Sequence, residues 1–191
     1  MPMFRARRSQ DLRILDFDSE CRSMTYSEWR KEDQITAIAW SWVGEDSVEC
    51  LLLEQDLSNE LSMLGDFLAV LNEADMVTGH YLRKHDMPLL NDNCLRIGYP
   101  PLQPMLVQDT MLDLVKVKGL GKSQQNLAET FDLAAEKHSM SGAAWRQANT
   151  LSPAGQAAAK KRVVSDVVQH KQLRAELLDR GLLKRPKLWR P

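Results

Sequence analysis

Two hydrophobic periods run along this chain, and the switches between them mark its elements. "LRILDFD" (12 to 18) ends in an apolar/polar alternation and predicts a first strand. "QITAIAWSWVG" (34 to 44) is β-branched and aromatic, and "SVECLLLE" (47 to 54) follows it after "GED", so the two predict a hairpin. The period then becomes helical. "SNELSMLGDFLAVLNEA" (58 to 74) has apolar residues at 61, 64, 67, 68 and 71, with Ser58 placed to cap it. "DMVTGH" (75 to 80) predicts a short buried strand ending at Gly79. "DMPLLNDNCLRIG" (86 to 98) predicts a helix with Pro88 in its first turn and Gly98 as its stop.

"PPLQPMLVQDT" predicts a loop and another short strand, with a helix near "MLDLVKVKG" and a further one at "SQQNLAETFDL" (123 to 133). Gly, Ser, Asn and Pro mark residues 137 to 154 as a surface loop. A last helix spans roughly 155 to 180, and a basic tail follows at about 181 to 191. Three strands, then helix, strand, helix, strand and further helices pack most naturally as an α/β domain, a mixed sheet flanked by helices. At 191 residues one domain is expected, without repeats or low-complexity segments.

Composition narrows the class only a little. At 43% hydrophobic and 27% charged, the chain resembles an ordinary soluble protein, and its net charge of −1 favours neither nucleic acid nor membrane. The cations cluster, however, in "FRARR" near the start, "KKR" at 160 to 162 and "KRPKLWRP" at the end, and such patches can hold phosphates. Three widely spaced cysteines, Cys21, Cys50 and Cys94, argue against a disulfide framework or a cysteine zinc site. No apolar leader or membrane-length run occurs, so the expected location is cytoplasmic, the host's cytoplasm if a phage encodes the protein.

The acidic residues change the picture more. In a strand Asp16, Asp18 and Glu20 share one side, and three like charges repel unless something positive sits among them. In "VTGHYLRKHDMPLL" an apolar strand leads through Gly79 and His80 to Asp86, which opens a helix. A carboxylate there is favoured by the helix dipole whether it caps or reaches a metal. In "KKRVVSDVVQHKQL" helical spacing puts Arg162, Asp166 and His170 in one line, so Arg162–Asp166 reads either as a surface ion pair or as part of a site. His80, His85 and Cys94 match no zinc spacing, and "GLGKS" (119 to 123) is not a phosphate loop. Trp40 and Trp42 predict core packing on a strand face.

"FDSE", then "GHYLRKHDMPLL", then "SDVVQHKQL" resemble, in order, the three exonuclease motifs of the DEDD superfamily of 3′–5′ exonucleases, which includes proofreading domains. "AEKHSMSGAAW" is similar to its phage and bacterial members. The resemblance implies a ribonuclease H-like fold and two divalent cations, Mg²⁺ or Mn²⁺, held by Asp18, Glu20, Asp86 and Asp166. Hard oxygen ligands suit those ions, and a metal pair about 3.5–4 Å apart clamps the attacking and leaving oxygens of a phosphodiester. One departure stands out. Family members carry a Tyr four residues, or a His five residues, before the last Asp to orient the water, and here those positions hold Arg162 and Lys161. His170 and His138 are the expected substitutes, because an arginine does not release its proton.

The reading is a metal-dependent 3′–5′ exonuclease that cuts single-stranded DNA or frayed 3′ ends to nucleoside monophosphates, with RNA as another substrate and a replication or repair protein as a partner. Arg83, Lys84, Lys161 and Arg162 would contact the strand, and Trp145 would either stack on a base or cap the core. A catalytically impaired nucleic-acid-binding relative and a structure-selective endonuclease on the same fold are the alternatives. If instead the acids were ordinary surface groups, Asp18 and Asp166 would lie far apart.

Overall fold

The computed structural model describes residues 12–25 and 31–191; the basic run at 4 to 8 lies outside them. Strands β1 (Ile14–Thr25), β2 (Lys31–Trp42), β3 (Glu49–Leu52), β4 (Met76–Gly79), β5 (Met105–Asp109) and β6 (Lys187–Trp189) form one sheet in the order β3-β2-β1-β4-β5-β6. β1 runs antiparallel to β2 and parallel to β4, and β4 is parallel to β5. The mixed sheet flanked by helices is the α/β architecture expected of a ribonuclease H-like chain.

The two faces of the sheet are covered by different chemistry. On one, Leu15 and Phe17 of β1 and Trp40 of β2 meet Met63, Leu64 and Phe67 of α1 (Glu60–Asn72) and Met87 and Leu90 of α2 (Asp86–Arg96). Phe67 lies 5.1 Å from Phe17 and 5.5 Å from Trp40, ring centre to ring centre. This is the apolar core, and Trp40 and Trp42 pack in or against it as expected.

The opposite face is largely polar. Ser41, Asp16, Thr78 and Gln108 are neighbours in register across four strands, and all four are buried. The long helix α6 (Pro153–Asp179) lies over this row and answers it residue by residue: Lys171 to Ser41, His170 to Asp16, Arg174 to Gln108. Buried polar groups demand such partners, so α6 has polar residues on its inner side as well as Val163 and Val167.

Four local expectations need correction. Ser58 does not cap α1; Asn59 takes that position, and Ser58 donates to Glu54 and Asp56. α6 begins at Pro153 with Ser152 as its cap, its hydroxyl accepting from the Gly155 amide. The expected loop at 137 to 154 contains helix α5 (Gly142–Asn149), capped by Ser141. Its Ser, Gly, Asn and Pro mark the ends of two helices rather than a loop. The expected tail contains β6, which pairs with β5 and buries Trp189, a long-range contact that a basic composition conceals. Between β5 and α5 lie α3 (Thr110–Asp113) and α4 (Gln124–Thr130).

Candidate metal centre

β1 presents Asp18 and Glu20 on the face covered by α6. Their cross-strand neighbours on β2 are Ala39 and Ala37, both fully buried against Val163 and Val167. Small side chains let the helix approach closely, and that brings Asp166 down onto the strand. A register shift follows Glu20, so the strict alternation that aligns the acids ends with it. One carboxylate oxygen from each of Asp18, Glu20 and Asp166 lies within 4.8 Å of the others. Asp18 and Asp166 are thus together, and the surface-acid alternative fails.

Asp86 arrives from the other side. It is the first residue of α2 and buried, and its Oδ1 accepts from the Ser19 amide (3.1 Å) and hydroxyl (2.6 Å). It stands outside the three-oxygen cluster, yet its charge is the strongest neighbouring influence on Asp18. Burial, followed by repulsion from Asp86, Asp166 and Glu20, pushes the Asp18 carboxyl well above its ordinary range. Burial likewise raises Asp86 and Asp166, the first offset by Ser19 and the second by Lys137 and Arg162. Glu20 is pushed up to about 7, by burial and then by Asp166.

Two cations sit among these four acids. Lys137 Nζ is 2.8 Å from Asp166 Oδ2, and Arg162 Nε is 3.1 Å from the same oxygen and 3.4 Å from Glu20. Both therefore hold one oxygen of Asp166. The other, Oδ1, is buried with no hydrogen-bond partner among the described residues. An all-oxygen donor set, an orphaned carboxylate oxygen and a surplus of negative charge fit a hard divalent cation.

His170 is placed elsewhere. Its Nδ1 meets Asp16 at 2.7 Å and its Nε2 meets Thr110 Oγ1 at 3.0 Å, all three residues being buried. With both ring nitrogens engaged, on Asp16 and Thr110, it ties α6 to β1 and α3 and lies outside the three-oxygen cluster. Thr110 continues the chain of bonds to His80 Nδ1 at 2.9 Å. His138 is exposed; its backbone accepts from Arg162 and donates to Ser165.

Arg83 also differs from expectation. Its guanidinium faces Asp113 (3.1 Å) and Asp109 (3.8 Å), so its charge is spent inside the protein and not offered to a strand. Lys84 and Lys161 are exposed, and Trp145 is half-buried on α5. Sequence reasoning missed Lys137 and Ser19 as parts of the centre. Lys137 lies within the quoted "AEKHSMSGAAW", whereas Ser19, between two acids on the opposite strand face, carries no signal of its own.

The chain is similar in fold to part of a DNA polymerase. The family B DNA polymerase from the hyperthermophilic archaeon Pyrobaculum calidifontis superposes with a TM-score of 0.68 at 19% identity, over 90% of this chain and 25% of the polymerase chain. This chain therefore spans about a quarter of that protein's length. No family model and no curated protein sequence matches the chain. Among the described residues no helix is long and apolar enough to cross a membrane.

Proposed function

We propose that this protein is a metal-dependent 3′–5′ exonuclease acting on single-stranded DNA or frayed 3′ ends. The observation that carries the reading is the meeting of Asp18, Glu20 and Asp166 from distant segments, with Asp86 beside Asp18. The shared fold with a DNA-synthesising enzyme and the three ordered motifs support it.

Asp18, Glu20, Asp86 and Asp166 would hold Mg²⁺ or Mn²⁺. When bound, such ions polarise a phosphoryl oxygen and lower the pKa of water. The chain's own residues do the rest. Ser19 fixes Asp86 by two hydrogen bonds to one oxygen, and the other is free of Ser19. Arg162 and Lys137 stand where negative charge on a transferring phosphoryl group would develop, and charge-matched donors there lower the barrier. Arg162 cannot serve as the base, so it positions the scissile phosphate. His138, whose backbone is anchored beside Arg162, is the remaining histidine to accept the proton of the attacking water. Lys161 would meet the backbone near the centre, and Trp145 would stack on the terminal base.

Timed digestion of a 5′-labelled oligonucleotide tests this directly. A ladder that shortens from the 3′ end with Mg²⁺ or Mn²⁺ and disappears with EDTA is expected; an undegraded oligonucleotide would refute the activity and favour a binding relative. A circular single strand should survive, whereas cutting of the circle would make the protein an endonuclease.

A further inference from the structure

A second feature, of opposite sign, includes Lys84, two residues before Asp86. A cleft of about 410 Å³ is lined by Lys84, Lys116, Lys184 and Lys187 together with Leu112 and Val115, over the Arg83 cluster. All four lysines are exposed, and none is engaged in a salt bridge among the described residues. They come from three segments far apart in sequence: the loop that leads into α2, the turn after α3, and the stretch entering β6.

Two buried carboxylates hold those segments together. Asp109 accepts from the amides of Tyr81 and Arg83 in the first segment and of Met111 and Leu112 in the second. Asp113 accepts from the Arg83 guanidinium and from the Lys184 amide, which adds the third. Both are almost wholly buried, at 0% and 2% exposure, so the lysine array is built into the fold and does not hang from loose ends. The Arg83 charge is consumed in this scaffold, and the four lysines remain exposed.

We propose that this cleft binds the sugar–phosphate backbone of a nucleic-acid strand on the 5′ side of the nucleotide being removed. The inference rests on the exonuclease reading for its direction, though not for the binding itself. Lys84 is two residues from Asp86, so their Cα atoms are within about 7.6 Å, and cleft and acidic centre are continuous along the chain. A strand with its 3′ end at the acids passes the start of α2 and reaches the lysines. Several lysines spread over an open cleft suit a row of phosphates better than a single anion. The apolar lining suits sugar and base faces, Val115 being 61% exposed within it.

The test measures fluorescence anisotropy of labelled dT20 with the metal-free full chain in EDTA, over a range of salt. The K116E/K184E/K187E variant should bind at least tenfold more weakly at low salt. The slope of log K against log salt should fall by about 2, from about 0.7 per lost contact on a single strand. R13Q removes a cation that is bonded to Glu73 at the start of β1, the opposite end of the strands from the cleft, and should leave binding unchanged. If the charge reversals prevent folding, the corresponding Lys→Gln variant reads the same quantity. Unchanged affinity and slope in a folded triple variant would overturn the proposal. Metal-dependent digestion of the same oligonucleotide separates the two ideas. Binding through the lysines without shortening keeps the cleft and removes the exonuclease, and shortening with triple-variant binding intact does the reverse.

Discussion

Asp18 is raised well above its ordinary range by burial and by three other carboxylates. D18N and D166N each remove a negative oxygen that a cation would need, and cleavage should fall on the order of 10³-fold or more, equivalent to several kcal/mol of lost charge stabilisation. Thermal melts of the same variants in EDTA should be unchanged or higher, because one source of repulsion has gone. His170 behaves in the opposite way. H170A leaves Asp16 buried without its partner, and urea unfolding should show a loss of about 1–3 kcal/mol. A variant equally stable but slow in cleavage would restore His170 to the catalytic list. Partners decide this contrast: the same helix buries both residues one turn apart, but Asp166 meets Asp18 and Glu20 whereas His170 meets Asp16 and Thr110.

At the level of elements, the corner between α5 and α6 leaves no room for a side chain at Gly155. A Cβ on Gly155 would lie 2.1 Å from the Gln147 carbonyl oxygen, a backbone atom that cannot swing away. G155A should therefore cost about 1–3 kcal/mol and loosen α5, read as a lower denaturant midpoint. Because α5 packs on α6 and is tied to β1 through Arg22 and Asn149, activity should also fall. The corner was hidden in the chain's composition, since its capping residues are the same types that build loops. β6 was hidden for a related reason: three residues with two exposed look like a tail until Trp189 is seen against Met105.

Across the whole molecule, the acidic centre makes metal-free stability depend on pH in a defined direction. Glu20 ionises near 4.5 when unfolded and about 7 when folded, so between those values the folded state holds more protons. Its contribution is fully present below about 4.5 and is lost as pH rises through 7; Asp18, Asp86 and Asp166 act in the same sense. In EDTA the melting temperature should drop from pH 5 toward pH 8. Mn²⁺ at a hundredfold over its dissociation constant should restore about 2.7 kcal/mol at pH 8, and D18N should largely abolish that gain. A melting temperature insensitive to both pH and metal would count against the acids forming one centre.

The periods of the chain determined by themselves the early strands, both long helices, the α/β class and the identity of the acidic residues worth watching. Those are local properties, set by which side chains neighbour one another along a strand or a helix turn. Tertiary structure alone decided which acids meet, that His170 and Arg83 serve the interior, that Lys137 enters the centre, and that four scattered lysines share a cleft. Each of these depends on contacts between segments tens of residues apart, where the small size of Ala37 and Ala39 or the reach of Asp109 and Asp113 matters more than any spacing along the chain.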